Sequence, residues 1–406
     1  MIRRFPRPLP RALAPLPDET LVGHILRLSY RLDAAPIHIA RWAGLAQGGD
    51  DALEEGAWGA SIPVSPLIRM TPQQSRRFAL ACCLSPKETR LLTLGSLADR
   101  YPPVSPHPVH TGGKTRSPKD IASGDSWVST RFTRYCPQCL ASDSSEVQDR
   151  YGGSWRKQWR LAVLFACTRH RRLLHSTCPA CSTPAQGTEP SYISTLITNP
   201  HGEPTHPAAC RSMWWMLQDP CETRLDDPDI GPIHMTPQAL HRLLVLQVHL
   251  NDLLEGKTTR AISFGRRVWA KTYFADLRVI SCIIQSAHPR SLHILCDPDI
   301  LAAYVDYRSS EEREDDSRYI LQRNPTTQRT HEKPPLRAKP LGCLLALATE
   351  FLDASPSAVS DHIAEMLATS SFNVSEVRHM ATTPRLSAAL RRLLTARSVL
   401  ECVRPN

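Results

Sequence analysis

Long apolar runs and aromatic side chains are scarce in this 406-residue chain, in which Phe, Trp and Tyr together make up 6%. No stretch approaches the roughly 20 apolar residues that are needed to cross a bilayer. The basic opening Met1–Arg4 leads into Pro6, Pro8 and Pro10, where a signal peptide would need an apolar core. We therefore expect a cytoplasmic protein without a membrane partner.

Sequence motifs of the common enzyme classes are also missing. The chain has no HExxH, GxSxG or GxGxxG. The segment Gly112–Thr115 resembles the end of a nucleotide-binding loop, but Pro108 stands where that loop has its first glycine. The acidic residues between Glu311 and Asp316 lie in a polar stretch, which is typical of a solvated segment rather than of a metal site. These absences predict a protein that is not an enzyme and has no catalytic residues.

The chain does have enough apolar residues for packed cores, together with an excess of positive charge. Hydrophobic residues make up 41%, and the 35 prolines indicate long connecting segments. At about 100–200 residues per domain, the length predicts two to four domains. The formal charge of +10 and the pI of about 9.1 favour an anionic partner, of which nucleic acid is the commonest. A basic protein with no polyanionic partner would have the same composition.

Thirteen cysteines in a cytoplasmic chain indicate metal binding more than disulfide bonds. A CxxC turn directs two thiolates at one point, which is half of a tetrahedral zinc site. We assign a first zinc to one CxxC and one CxxH motif, whose ligands are Cys136, Cys139, Cys167 and His170. Free or redox-active cysteines are the alternative interpretation of these spacings.

A second zinc starts from the CxxC motif at Cys178 and Cys181. Its other ligands are expected to be Cys210 and Cys221, with two histidines left open as substitutes, His201 and His206. Both ligand sets are complete with protein side chains, whereas a catalytic zinc keeps one position open for water. We therefore expect two structural zinc ions per chain as the cofactors.

Cationic side chains lie between the ligand motifs, close to Trp155 and Trp159 in the sequence. Cations and aromatic rings together can bind phosphates and stack on bases. The two tryptophans fit a small core against the zinc site better than a nucleic-acid surface. The candidate phosphate contacts of this region are Arg156, Lys157, Arg169, Arg171 and Arg172.

Residues 17–100 carry a helical pattern of apolar side chains with capping residues. Asp18 is placed to cap the first helix, and Thr71 and Ser85, each followed by proline, are placed to cap the third and fourth. The last two helices are joined by only a few residues around Leu84. A short joint of this kind is the layout of a helix-turn-helix.

The second helix of a helix-turn-helix enters the major groove with its first residues over base edges. Lys87, Thr89 and Arg90 are the residues expected to be exposed there, and the apolar face includes Leu91 and Leu92. Lys87 and Arg90 are three residues apart and therefore lie on one side of the helix. We select these two as DNA contacts, with a solvated surface or a protein-binding surface as the alternatives.

The second half of the chain is also helical by periodicity. Thr236 is placed to cap a long amphipathic helix that stops at Gly256, and residues 266–304 continue with helical patterns. The charged stretch 308–340 has the composition of a disordered linker. Beyond it, a turn at 371–373 between two helical segments makes a second candidate helix-turn-helix.

The fold predicted from these patterns is mainly α. It combines an N-terminal helix-turn-helix domain, two small zinc-binding lobes and a C-terminal helical region with a possible second helix-turn-helix. The predicted parts are an N-terminal helical domain at 1–101, a linker at 102–126, a double zinc-binding region at 127–225, a helical domain at 226–307, a flexible linker at 308–340 and a C-terminal helical domain at 341–406.

The order and spacing of these motifs resemble the TniQ/TnsD family of transposon target-selection proteins. The similarity extends over about residues 13–225 and includes the opening helix, the N-terminal helix-turn-helix and the clustered metal motifs. The segments that carry it are 16–21, 24–28, 84–86, 91–94, 134–139, 165–170 and 178–181. One departure from the family pattern is that Cys210 and Cys221 are too far apart to form a CxxC.

The resemblance implies a non-enzymatic adaptor that selects a target for DNA transposition and recombination. It implies duplex DNA, an AAA+ ATPase and a transposase as partners, with target recognition either direct or through an RNA-guided complex. A nucleoid-associated location follows from such partners, and a homodimer stays open. The alternatives are an orphan zinc-containing helix-turn-helix regulator that binds DNA and an adaptor whose helix-turn-helix units bind only protein.

Overall fold

The computed structural model describes the chain in nine stretches that together contain sixteen α-helices and four short β-strands. The described residues are 7–10, 12–46, 61–106, 117–124, 126–187, 196–212, 220–287, 298–311 and 337–403. The protein is therefore mainly α, as the sequence predicts. No helix in these stretches is both long and apolar enough to span a membrane.

The chain forms two compact units, each assembled from segments that are separated in the sequence. Unit 1 comprises 1–96, 118–161 and 173–233, and unit 2 comprises 97–117, 162–172 and 234–406. The six parts predicted from the sequence stay predictions, because each unit combines segments from several of them.

Unit 1 contains the first eight helices, most of which are short. Proline occupies the first turn of several of them, because its missing N–H has no partner at that position in any helix. Their bounds are α1 Leu21–Leu32, α2 Pro36–Trp42, α3 Ser65–Ile68, α4 Pro72–Cys82, α5 Pro86–Leu91, α6 Pro118–Gly124, α7 Pro137–Ala141 and α8 Glu146–Tyr151.

The start of α1 differs from the expectation that Asp18 caps it. Thr20 is the N-cap, and its hydroxyl accepts a hydrogen bond from the Gly23 amide at 2.9 Å. Asp18 instead adopts a positive φ of 57° and forms an ion pair with Lys157 at 3.1 Å. The prediction was wrong because the cap was assigned from residue type alone. The Asp18 side chain instead pairs with Lys157, which is distant in the sequence.

A buried ionic group stabilises the same segment of unit 1. The Glu19 carboxylate accepts two hydrogen bonds from Arg27, at 2.9 and 3.0 Å, and one from the Leu16 amide at 2.9 Å. Burial opposes ionisation of Glu19, but His24 and Arg27 together hold its pKa below the usual value. Removing one partner of such a buried pair costs about 3–5 kcal/mol, because the other charge is left uncompensated.

The predicted helix-turn-helix is present as α4 and α5, joined at Cys83–Ser85. Thr71 caps α4 and Ser85 caps α5, each within a reciprocal capping box. Thr89 was expected to be exposed, but it is 1% exposed because its hydroxyl donates to the Ser85 carbonyl at 3.1 Å on the inner face. Leu91 was placed near the core and is instead 46% exposed.

Unit 2 contains the longer helices and their apolar core. α9 begins after its N-cap Thr236 and ends at Gly256 in the left-handed conformation, as the sequence predicts. α10 packs against α12, and α11 also packs against α12. The bounds are α9 Pro237–Glu255, α10 Ala270–Ser286, α11 Pro298–Glu311, α12 Ala338–Asp353, α13 Pro356–Thr369, α14 Val374–Ala381, α15 Ala388–Thr395 and α16 Arg397–Cys402.

Four short strands form two two-stranded sheets, which the helical patterns did not predict. Ala166–Cys167 (β1) pairs with Arg172–Leu173 (β2), and Arg260–Ser263 (β3) pairs in antiparallel orientation with Arg266–Trp269 (β4). Phe264 and Gly265 form the turn of the second hairpin with φ values of 52° and 70°. Two successive positive φ angles are typical of a tight hairpin turn whose twist matches that of the strands.

The predicted linkers fall partly outside the described residues. Between 102 and 126 the described parts are a 3₁₀ turn at Pro102–Val104 and α6, while Gly112–Thr115 lies outside the described residues. At 308–340 the described ends belong to α11 and α12, and residues 312–336 lie outside the described residues. The second candidate helix-turn-helix corresponds to α13 and α14, which are separated by Ser370–Asn373.

Candidate metal centres and basic residues

The four predicted ligands of the first zinc form one cluster. The ligand atoms of Cys136, Cys139, Cys167 and His170 all lie within 4.8 Å of one another. Cys167 Sγ is 3.5 Å from His170 Nδ1. Tetrahedral zinc, with Zn–S of about 2.3 Å and Zn–N of about 2.0–2.1 Å, separates a sulfur and a nitrogen ligand by about 3.5–3.6 Å. The cluster therefore fits one zinc ion, with Nδ1 as the ligand atom of His170.

Backbone hydrogen bonds hold the half of this cluster that contains Cys136 and Cys139. Cys136 is the N-cap of α7, and its carbonyl accepts the Cys139 amide at 3.1 Å, which closes the CxxC turn. Behind that turn, the Gly153 amide donates to the Leu140 carbonyl at 2.9 Å. A Cβ on Gly153 would be 2.8 Å from that carbonyl oxygen and would also clash with the Cys139 carbonyl. Glycine is needed there because two backbones approach closely.

Gln247 on α9 positions the second half of the first cluster. Its Oε1 accepts the amides of Phe165 and Ala166 at 2.8 and 3.0 Å, and its Nε2 donates to the Val163 carbonyl at 3.1 Å. Gln247 is fully buried, so these bonds satisfy a polar group that would otherwise be costly. The segment that leads into Cys167 is thus hydrogen-bonded to a helix distant in sequence, and no local motif identified Gln247.

The second cluster contains Cys178, Cys181, Cys210 and Cys221, with all four sulfurs within 4.8 Å of one another. Cys178 Sγ lies 3.8 Å from Cys221 Sγ, and Cys181 Sγ lies 3.7 Å from Cys210 Sγ. A disulfide would need about 2.05 Å. A tetrahedron with Zn–S bonds of about 2.3 Å has sulfur–sulfur edges of about 3.8 Å. The two observed separations are compatible with four sulfur ligands around one zinc ion.

The backbone explains how Cys210 and Cys221 meet although they do not form a CxxC. The Cys210 amide donates to the Thr223 carbonyl at 2.9 Å, and the Glu222 amide donates to the Cys210 carbonyl at 2.9 Å. This antiparallel pairing brings the two cysteines together across the intervening residues. The alternative ligand His206 accepts the Ala208 amide through Nδ1 at 3.2 Å. Neither His206 nor His201 belongs to a cluster among the described residues.

Two threonines next to the second cluster were missed by the sequence analysis. Cys181 Sγ lies 2.9 Å from Thr183 Oγ1, and Cys221 Sγ lies 3.2 Å from Thr223 Oγ1. A thiolate has no proton to give, so each hydroxyl is the donor when the sulfurs bind a metal. The signal was present in the sequence as a Cys-x-Thr pattern in both halves of the site.

The closeness of the sulfurs in the second cluster affects the pKa values of its cysteines and favours a cation at its centre. A hydrogen bond from Cys210 lowers the pKa of Cys178 to about 4. The same hydrogen bond raises the pKa of Cys210, and burial raises that of Cys181. Thiolates at such short range repel one another unless a metal ion neutralises them.

The tryptophans between the ligand motifs belong to the core. Trp155 is 2% exposed, and its indole N–H donates to the Pro207 carbonyl at 2.8 Å. The Trp159 ring packs edge-on against Trp155, with 6.3 Å between centroids, and Tyr135 lies 6.1 Å from Trp155. The core interpretation of these rings is therefore correct, and they are closed to base stacking.

The seven candidate DNA contacts differ in accessibility. Lys157 is 6% exposed and paired with Asp18, and Arg172 is 8% exposed. Arg156 is half-buried, with its guanidinium 5.9 Å from the centre of the Trp159 ring. The structure leaves the other four exposed: Lys87, Arg90, Arg169 and Arg171.

Comparison with known proteins identifies one family. A family model described as TniQ matches residues 10–174. No curated protein and no solved structure matches the chain. The matched range includes α1, the helix-turn-helix and all four ligands of the first cluster, while the second cluster lies beyond it. The similarity expected from the motifs over 13–225 is thus found over the larger part of that range.

Proposed function

We propose that this chain, whose residues 10–174 match the TniQ family model, is a non-enzymatic target-selection adaptor in transposition. In this role it binds duplex DNA at the insertion target, or a complex that has found the target, and recruits an AAA+ ATPase and a transposase. The observation that carries the proposal is the matched domain over residues 10–174, with the four ligands of the first cluster brought together inside it.

We further propose that each cluster holds one structural zinc ion. The donor sets, three thiolates with one imidazole and four thiolates, are those of structural zinc sites. The separation of 3.5 Å in the first cluster and those of 3.7 and 3.8 Å in the second agree with one tetrahedral ion in each cluster. The zinc ions would stabilise segments with little regular structure, because binding free energy of structural zinc becomes folding free energy.

Recognition is proposed to use the exposed residues of the N-terminal helix-turn-helix. Lys87 and Arg90 project from α5, which begins directly after the capping box at Ser85. Cations at the start of a recognition helix can contact phosphates and base edges. Arg169 and Arg171, on the CxxH turn, are exposed and provide further candidate phosphate contacts.

The test is to map transposon insertions with and without this protein. Its gene would be expressed together with a transposase gene and an AAA+ ATPase gene, and insertion sites would be sequenced. We expect insertions to concentrate at a preferred target only when the protein is present, and the ATPase to copurify with it. An unchanged distribution of insertions, with duplex binding intact, would favour the orphan DNA-binding regulator instead.

A further inference from the structure

The β3–β4 hairpin of unit 2 exposes one face of its two strands. In the register of the hairpin Arg260 lies opposite Trp269, and Ile262 lies opposite Arg267. All four side chains are exposed, with Ile262 at 41% and Trp269 at 51%. The alternate residues of β3 are buried, so Arg260, Ile262, Arg267 and Trp269 form the exposed basic face of the ribbon. Arg266 is paired with Ser263, lies on the opposite face at the tip of the ribbon and is also exposed.

Positive charge is concentrated on this ribbon without nearby compensation in the sequence. No Asp or Glu occurs between residues 256 and 271, a segment with five Lys or Arg residues. Lys257 is neutralised by Glu255, whose carboxylate lies 2.7 Å away. Among the ion pairs of the described residues, none involves the arginines of the ribbon, which are Arg260, Arg266 and Arg267.

Both faces of the ribbon make contacts within unit 2. The Arg260 guanidinium lies 4.4 Å from the centre of the Trp269 ring, and this cation–π contact fixes the arginine on the outer face. On the inner face, Ser263 Oγ donates to Asp276 at 2.6 Å, and Phe264 is 1% exposed. Side chains that are already fixed lose less conformational entropy on binding.

A groove lined mainly by apolar residues and by two arginines adjoins the tip of the ribbon. It has a volume of about 280 Å³ and is lined by Arg266 and Arg392, with Ala388 and Leu393 on its apolar side. Asp276 accepts the Ser387 amide at 2.9 Å as well as the Ser263 hydroxyl, so one buried carboxylate ties the ribbon to the start of α15. Arg266 at the tip of the ribbon and Arg392 on α15 therefore line one groove.

We propose that the β3–β4 ribbon and the groove at its tip form a second contact surface for duplex DNA. The proposal rests on the proposed function for the choice of DNA and adds a site outside the helix-turn-helix and the metal clusters. A two-stranded ribbon fits the major groove. All four cations are arginines, whose planar guanidinium forms paired hydrogen bonds with phosphate oxygens. The assigned phosphate contacts are Arg260, Arg266, Arg267 and Arg392.

The test compares variants of the full-length, zinc-loaded protein on a fluorescent DNA duplex of arbitrary sequence over a range of salt concentrations. Arg260→Ala/Arg267→Ala should weaken binding about tenfold or more at low salt. It should also make the dependence of log affinity on log salt shallower by about 1.8, which is 0.9 for each lost phosphate contact. Arg260→Lys/Arg267→Lys keeps the charge and should retain the slope of the parent.

The matched control is Lys257→Ala/Arg397→Ala, which removes the same formal charge from unit 2 at positions already paired with Glu255 and Glu401. It should bind as the parent does. The inference is overturned if the ribbon variant binds like this control, if the parent does not bind duplex DNA, or if the ribbon variant loses only binding to an acidic protein partner. A protein that binds duplex through the ribbon but leaves insertion sites unchanged contradicts the proposed function and not this inference.

Discussion

Thr183 and Thr223 show how single hydroxyls complete the second metal cluster. Each lies two residues after a cysteine ligand and within hydrogen-bonding distance of that ligand's sulfur. A donated hydrogen bond stabilises the charged thiolate and fixes its orientation toward the metal. The sequence identified the cysteines from their spacing, but the role of the threonines depends on where their hydroxyls point after folding.

Replacing both hydroxyls should weaken zinc binding at the second cluster. Thr183→Val/Thr223→Val keeps the side-chain shape and removes the donors, and we expect a loss of about 10–100-fold in zinc affinity. Competition with a chromogenic chelator would measure the loss. Thr382→Val is the control, since that exposed hydroxyl only donates to the His379 carbonyl. Equal zinc retention by the double variant and the control would show that the hydroxyls do not support the metal.

Gly153 lies behind the first CxxC turn and leaves no space for a side chain. Gly153→Ala should lower the free energy of unfolding by about 1–3 kcal/mol. The added methyl group would clash with the carbonyls of Cys139 and Leu140, so the backbone of the CxxC turn would have to move. Denaturant unfolding would measure the change. Gly231→Ala serves as the control, since its Cβ would meet nothing within 4 Å. A variant at Gly153 as stable as the one at Gly231 would mean that the turn can shift freely.

Lys157 illustrates a limit of prediction at the residue scale. In the sequence it is one cation in a basic segment, and phosphate contact was a reasonable expectation. In the structure its backbone amide donates to the Asp18 carbonyl at 2.8 Å, and its ammonium pairs with the same residue. A contact across such a sequence separation carries no local signal, so the lysine could not be assigned to the interior beforehand.

Helices with strong capping residues were the elements most readily predicted. The starts of α4, α5 and α9 follow from Thr or Ser before proline, because side-chain capping and the fixed φ of proline act within one turn. The β3–β4 hairpin was missed, since residues 266–304 were interpreted as helical throughout. Its turn contains Phe264 in a positive-φ conformation, which is stabilised by burial rather than by residue type.

The α4–α5 element supports a test of recognition. Lys87→Ala/Arg90→Ala should lower duplex affinity about tenfold or more, because both cations are exposed on α5. Zinc content and thermal stability should stay unchanged, since neither side chain packs in the core. Fluorescence anisotropy measures the affinity, and Lys87→Arg/Arg90→Lys is the charge-conserving control. Unchanged affinity and insertion targeting in the alanine variant would place recognition elsewhere, with α13 and α14 as the next candidates.

At the scale of the whole molecule, composition and cysteine spacing indicated more about ligands and partners than the periodicity of apolar residues did. The charge of +10 and the paired CxxC and CxxH motifs pointed to an anionic partner and to metal. The structure gathers eight predicted ligands into two clusters of four. The spacing of Cys210 and Cys221 does not by itself predict that they meet, because their approach depends on backbone pairing that no spacing rule contains.

The central claim is that these eight side chains form two complete zinc sites in one chain. The most direct measurement is the zinc content of protein purified without added metal, determined by elemental analysis and by native mass spectrometry. We predict two zinc ions per chain in the parent and one in a Cys178→Ser variant, whose first cluster stays intact. One zinc ion or none in the folded parent, or two in the variant, would contradict the account.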